Sequence, residues 1–406
     1  MNSTSWRQLP SHRAWLMQQA GALFDFYQFR SINPKGGFFE LGDDGAPAGT
    51  VRQLHATTRM IHCFTIGHLL GRPGCDAIID HGMNFLWRGH RDRRYGGYVW
   101  SLDDDGAKDA SKQAYGHAFV LLAASAAKVA CHPLADEMIA DITAILESRF
   151  WEEEHGAVAE EFAQDWSPIS SYRGQNSNMH LTEALMAAFE ATSDSTYLRK
   201  AERIAGFIIG KHAASLGYRV AEHFDRNWNL DNNYLGSQIF RPSGATPGHW
   251  LEWSRLLLQL WELGGRKLAW LPDAAGKLFR NSVDFGWDKQ YGGFYYTLDW
   301  DNRPLLRHKL WWPATEGIGA AAFLAAHSGD AFHEDWYRRI WGVCNNHFID
   351  HRNGSWHHEL AEDMTPKHEF FAGKPDIYHA LQACVIPLFP ATGSLTRVIG
   401  QAGATP

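Results

Sequence analysis

Six copies of one short motif, spaced about sixty residues apart, limit what this chain can fold into more than any other feature. The copies read "KGGFFELGDDG" around Gly36, "YGGYVWSLDDDG" around Gly96, "HGAVAEEFAQD" around Gly156, "LGYRVAEHFDRNW" around Gly217, "YGGFYYTLDWDN" around Gly292 and "NGSWHHELAED" around Gly354. Each is a glycine, a short alternating run and an acidic turn, which reads as a small hairpin. Successive glycines lie 60, 60, 61, 75 and 62 residues apart. A near-constant period along the chain points to one repeat architecture, and so to one domain rather than two.

The segments between the copies read as helices of two kinds. Residues 116–130 and 316–326 are apolar or small nearly all round, as in a helix buried on every side. Residues 135–150 instead place Met138, Ile142, Ile145 and Leu146 on one stripe with acids opposite, and the segment from Tyr197 to Ile208 does the same. About sixty residues hold two helices of ~15 residues and two connections. Six such units predict an all-α (α/α)6 barrel of six helical hairpins, with the glycine motifs as short β-hairpins in the loops at one end. The barrel is expected over residues 1–390, followed by a flexible tail over 391–406. An open solenoid could use the same repeats. Closure is favoured because the unusual polar residues fall at one phase of the repeat.

Counting forward from each motif glycine, Gly36 leads to Arg59 after 23 residues, Gly156 to His180 after 24, Gly292 to Glu316 after 24 and Gly354 to His379 after 25. Gly96 leads to Tyr115 after 19, and the longer fourth repeat carries Gly217 to His249 after 32. Each lies near the start of a candidate inner helix, so a closed ring would gather them in one pocket. Glu252, one turn after His249, and Asn176, one turn before His180, join the set. Any single histidine of the 22 is more often structural. Three at one phase are harder to dismiss.

Imidazoles give and take protons near neutral pH without a metal. In a sugar-sized cavity lined by some of the 18 tryptophans, they suit ring opening and proton abstraction beside a carbonyl. Arg59 could polarise an enediolate oxygen, and Glu252 or Glu316 could orient a histidine or bind hydroxyls. A zinc hydrolase would want a short metal spacing such as HExxH, which "HWLE" at 249–252 is not. A glycosidase would want two carboxylates, which Glu252 and Glu316 could supply, but that leaves three histidines idle. A non-catalytic sugar-binding protein would not need the histidines at all. A net charge of −7 without a long basic run argues against nucleic acid. No segment approaches the roughly 18 apolar residues of a membrane span, so a cytoplasmic protein is expected. The five scattered cysteines, with no CxxC pair, suggest neither disulfides nor a cysteine metal site.

The motifs "TTRMIH" (57–62), "DASKQAYGHAF" (109–119), "RGQNSNMH" (173–180), "GATPGHWLEWSRL" (244–256), "WWPATEG" (311–317) and "KPDIYHALQ" (374–382) together resemble the N-acylglucosamine 2-epimerase superfamily of sugar isomerases and epimerases. The likeness runs from about residue 5 to 390 and is nearest to the branch of bacterial mannose and sulfoquinovose isomerases. It implies an (α/α)6 barrel that works without cofactor or metal. It also implies that His379 removes the C2 proton of an open-chain sugar and that His249 is the partner acid/base. Arg59, Tyr115, Asn176, His180, Trp312 and Glu316 are then expected to bind substrate, with Glu252 beside His249. Asp376 either orients His379 or caps its helix. The run "FRPSGATPGH", in which Arg241 is the one basic residue, favours mannose–fructose interconversion over a sulfonated sugar, with lyxose and xylulose as a shorter pair. The expected partner is an unphosphorylated monosaccharide, and the expected assembly a monomer or homodimer. A 2-epimerase would use the same groups.

Overall fold

The structure is a computed structural model and describes residues 4–403. Thirteen α-helices lie among the described residues. Six form an inner ring: α2 (Leu54–Leu69), α4 (Ala114–Val129), α6 (Gln175–Thr192), α8 (Pro247–Leu263), α10 (Trp311–Ser328) and α12 (Tyr378–Val385). Six lie outside: α1 (Pro10–Tyr27), α3 (Cys75–Phe85), α5 (Ala135–Ile145), α7 (Ser195–Ala205), α9 (Trp270–Phe285) and α11 (Ala331–Val343). Inner helices pack on their neighbours in sequence order, and α12 returns to pack on α2 and on α1. The sixth helical pair is therefore made from the two ends of the chain. The ring is closed, and the (α/α)6 barrel is the observed architecture.

Burial follows the two helix types. α4 is buried over nearly its whole length, because alanines and Gly116 let α2 and α6 approach on either side. α5 buries Met138, Ile139 and Ile142 and keeps Asp136, Glu137 and Asp141 off the core side. Gly319 of α10 shows what small residues allow: a Cβ there would stand 3.0 Å from Cδ of Arg255, which α8 lays across it.

The motif glycines have a common backbone reason. Gly36, Gly96, Gly156, Gly217, Gly292 and Gly354 all have positive φ, which glycine adopts without steric cost. After each turn comes a strand of a few residues, which pairs with the segment entering the preceding inner helix. The pairs are Arg52 with Leu102, Lys112 with Phe162, Arg173 with Phe224, Ala245 with Leu298, Lys309 with Leu360 and Lys374 with Leu41. These six links run once around the ring, the last joining the first repeat to the sixth. A buried ion pair ties turn to helix entry in three repeats: Lys112–Asp92 at 2.8 Å, Lys309–Asp288 at 2.8 Å and Lys374–Asp350 at 2.7 Å.

The tail differs from expectation. Leu395–Gly403 forms a further helix, α13, which buries Thr396, Val398 and Ile399 and packs against α2, α4 and α6. An apolar stripe of three residues in a mostly small, polar stretch is easy to overlook, yet it covers the barrel end opposite the glycine turns. The last three residues of the expected flexible tail lie outside the described ones. No helix of the described residues is long and apolar enough to cross a membrane.

Candidate active site

Each inner helix begins at the same end of the barrel and offers side chains from its first turns. Residues three or four apart share a helix face, so one helix supplies an upper and a lower group. Asn176 and His180 on α6, His249 and Glu252 on α8, and Trp312 and Glu316 on α10 are such pairs. The ends converge on a cleft of about 620 Å³. Nine of the ten residues expected from the sequence line it: Arg59, Tyr115, Asn176, His180, His249, Glu252, Trp312, Asp376 and His379. Glu316 is buried against His379 instead.

Two histidines are built alike. His379 Nδ1 lies 3.0 Å from Glu316 Oε1, and His249 Nδ1 lies 2.9 Å from both oxygens of Glu222. A carboxylate there accepts the Nδ1–H hydrogen bond, which keeps the proton on Nδ1 and leaves the Nε2 lone pair for chemistry. Neither Nε2 has a hydrogen-bond partner among the described residues, and both rings lie against Trp312, at centroid distances of 4.8 Å for His249 and 6.1 Å for His379. Gly248 permits this packing, since a Cβ on it would meet the Trp312 ring at 2.5 Å.

The carboxylates behind the rings are ionised. Burial pushes Glu222 upward, but His249, His223 and the Gln175 amide together hold the carboxyl below its ordinary value. For Glu316 burial is likewise opposed, first by Arg255, whose Nε stands 2.9 Å away, and then by His379. His379 itself is lowered from its ordinary value, chiefly by burial, so the free ring is neutral at pH 7.

Arg59 forms the other wall. Its guanidinium donates to Asp376 Oδ2 at 3.0 Å and to the Tyr115 hydroxyl at 2.8 Å, and lies over the rings of Phe119 and Tyr378. Burial raises Asp376, but Arg59 and its neighbours bring it down to about 2. Asp376 also accepts from the backbone N–H of Tyr378 at 2.9 Å, which caps α12. It makes no hydrogen bond to His379, so of the two expected roles it fills the cap, and Glu316 does the orienting.

Glu252 departs from expectation in its partner. It shares a helix face with His249, yet its Oε1 faces His180 Nδ1 at 3.6 Å. Burial, then Glu316, raises Glu252 well above the ordinary carboxyl value, while burial and Arg59 push His180 well below the ordinary imidazole value. Burial disfavours the charged form of each, and at 3.6 Å the two atoms stand beyond hydrogen-bond distance. His180 Nδ1, Glu252 Oε1, Asn176 Oδ1 and Arg59 Nε are buried without a hydrogen-bond partner. Such atoms are costly unless something polar meets them.

Among the described residues, one cluster has donor atoms close enough for a metal: His180, Glu183 and Glu252. Arg255 already supplies the positive charge there, with Nη1 3.3 Å from Glu183 and Nη2 3.7 Å from Glu252. Tyr378 donates to the other Glu183 oxygen. This donor set fits a guanidinium better than a divalent cation.

Sequence reasoning missed Glu222, Arg255, His55, Trp311 and Phe240. Glu222 had a signal. It occupies the same register of the hairpin motif as Trp100, Glu160, Tyr296 and His358, two residues before the strand residue that links repeats. The carbonyls of Trp100, Glu160, Glu222 and His358 accept the first N–H of the preceding inner helix in each case. A second set of site residues thus recurs at a second phase.

The sequence profile of the N-acylglucosamine 2-epimerase (GlcNAc 2-epimerase) family matches residues 36–383. This chain belongs to that family. Among the family's members it is 43% identical to a D-mannose isomerase of Pseudomonas cannabina pv. alisalensis, over 98% of this chain and 97% of that one. It is 40% identical to a D-mannose isomerase of Thermobifida fusca, over 98% and 100%. A solved D-mannose isomerase superimposes with a TM-score of 0.87 at 33% identity, covering 94% of this chain and 99% of that one.

Proposed function

We propose that this chain interconverts D-mannose and D-fructose by histidine acid/base catalysis. The observation that carries the reading is the pair of glutamate-anchored imidazoles beside Trp312, facing the Arg59 guanidinium across one cleft. Its relatives named D-mannose isomerase cover nearly the whole chain.

His249 transfers a proton between the ring oxygen and the anomeric hydroxyl, opening the pyranose. His379 Nε2 then takes the C2 proton. The electron pair of that bond forms a C1–C2 double bond, and the former carbonyl oxygen becomes an enediolate oxygen held by Arg59. A proton passes from O2 to O1 through His249, and His379 returns its proton to C1, giving the ketose. Glu316 stabilises the imidazolium while it lasts. The unpartnered His180, Asn176 and Glu252 atoms are matched to sugar hydroxyls.

Arg241 is bound to Glu161 at 3.0 and 2.7 Å, so it is not free to hold a sulfonate or phosphate. Glu316 is tied to Arg255 and His379 beneath the cleft and Asp376 is paired with Arg59, so neither stands free as the second carboxylate that a glycosidase needs beside Glu252. The 2-epimerase reading keeps one specific support. His249 is anchored as firmly as His379 and could return the proton to the opposite face of C2.

Proton NMR of mannose incubated with the protein in D2O decides between them. Fructose as the first product, with deuterium at C1, is the expected result. Glucose as the first product would replace the isomerase with a 2-epimerase. Neither product nor C2 exchange would overturn proton transfer altogether.

A further inference from the structure

Beside the cleft lies a second cavity of about 600 Å³ that shares three lining residues with it, Tyr115, Asn176 and Phe240. The Phe240 ring stands with Tyr115 and Asn176 between them. It sits edge-on to His55, Trp100 and Tyr115, with centroids 5.5, 5.6 and 5.9 Å away. His55 faces the cleft, Trp100 the outer cavity, and Tyr115 both. Phe240 comes from the extra length of the fourth repeat, the one interval that exceeds the others. That insertion is pinned here by Tyr296, whose hydroxyl donates to the carbonyls of Gln238 at 2.7 Å and Ile239 at 3.0 Å.

The outer cavity has the character of a binding site for a neutral, hydroxyl-rich group. Trp100 and Tyr234 offer aromatic surface, against which sugar C–H faces pack. Glu160 accepts from Ser177 at 2.6 Å through one oxygen, while its other oxygen is buried without a partner. Its one guanidinium, Arg241, is already held by Glu161, which leaves no free cation for an anion.

We propose that Phe240 is the specificity residue that restricts the substrate to one sugar ring, and that the cavity behind it is a latent glycosyl subsite. Removing the ring joins the two spaces, so that an aldose bearing a glycosyl substituent places its reducing end among the histidines and its second ring against Trp100 and Glu160. The inference rests on the isomerase reading.

The test compares wild type, Phe240→Ala and Phe240→Leu on mannose and on 1,4- and 1,6-linked mannobiose, with thermal melting to establish folding. In Phe240→Ala, the ratio of kcat/KM for mannobiose to that for mannose is expected to rise at least about tenfold for one of the linkages, and less in Phe240→Leu. Adding Glu160→Gln to Phe240→Ala is expected to raise KM for mannobiose about fivefold and leave KM for mannose in place. A ratio unchanged in both folded variants, while wild type turns over mannose, overturns the inference and spares the isomerase. Should wild type convert no aldose, calorimetric binding of mannobiose still decides. Binding by Phe240→Ala and not by wild type supports the partition, and binding by neither overturns it.

Discussion

The two histidine dyads look like copies of one device, but the charge behind them differs. Glu222 is held by neutral donors besides His249: the Gln175 amide at 2.8 Å and the Thr246 backbone N–H at 3.3 Å. What lowers its pKa against burial is His249 first, then His223 and the Gln175 amide. Glu316 is kept ionised first by Arg255 and only then by His379. A carboxylate already matched by a guanidinium offers less to an imidazolium than an unmatched one. The same side-chain pair therefore serves two tasks: Glu222 supports a proton on His249, the acid, and Glu316 orients His379 without over-stabilising its protonated form, as a base needs.

Removing the rings themselves tests that division most severely. His379→Ala is expected to lower kcat by about 10³-fold or more and to abolish deuterium exchange at C2, because His379 is the base that takes that proton in the proposed mechanism. His249→Ala is expected to lose as much on cyclic mannose. On an aldose that cannot close a ring it should retain more activity, since ring opening is no longer required. Equal losses on both substrates would remove the distinction between the dyads.

The carboxylates come next. Glu222→Gln and Glu316→Gln keep their shape and lose their charge, and each is expected to cost roughly 10²-fold in kcat, with mannose binding little changed. They should differ in stability. Glu316→Gln leaves Arg255 with one fewer counter-charge in the barrel interior, and the expected penalty is about 3 kcal/mol by chemical denaturation, as for a broken buried pair. Glu222→Gln breaks no guanidinium pair and should cost less. Similar penalties would mean that Arg255 is satisfied by Glu183 and Gln259 alone.

These two glutamates also show where reading the sequence succeeded and where it stopped. Glu316 was legible because it sits at the phase of the inner helices, as do Arg59, His180 and His379. A period of sixty residues, a recurring glycine hairpin motif and the contrast between all-round and one-sided apolar helices were enough for the barrel. Glu222 was not legible at that phase because it comes from a strand, and strand residues enter the pocket at their own register. Arg255 was hidden differently: one turn beyond Glu252 in an apolar helix, it reads as an ordinary exposed cation. It becomes central because Gly319 on a neighbouring helix makes room for it. The pairing of Glu252 with His180 rather than His249 was equally out of reach, since a shared helix face does not say which neighbouring helix a carboxylate faces.

The smallest expected effect is the sharpest probe of the comparison. His379 must be neutral to accept the C2 proton, and its folded value lies below 6.5, because burial disfavours the imidazolium more than Glu316 restores it. Activity is then full above pH 6.5 and falls as the pH drops through the lowered value, so the acid limb of kcat/KM lies below 6.5. The Glu316 bond is one of the influences raising that value. Glu316→Gln should therefore move the acid limb further down, alongside its loss of rate. A carboxylate that only aims the ring would lower the rate and leave the limb in place. Buried His62 and His90, both brought to about 4 chiefly by desolvation, impose a condition on the measurement. Unfolding returns them to 6.5, so stability present above that pH drains away below it, at up to about 1.4 kcal/mol per ring and pH unit. The acid limb must be taken from initial rates at a temperature where melting curves show both proteins folded. A limb that tracks the melting midpoint in both would assign the acid loss to unfolding and not to His379.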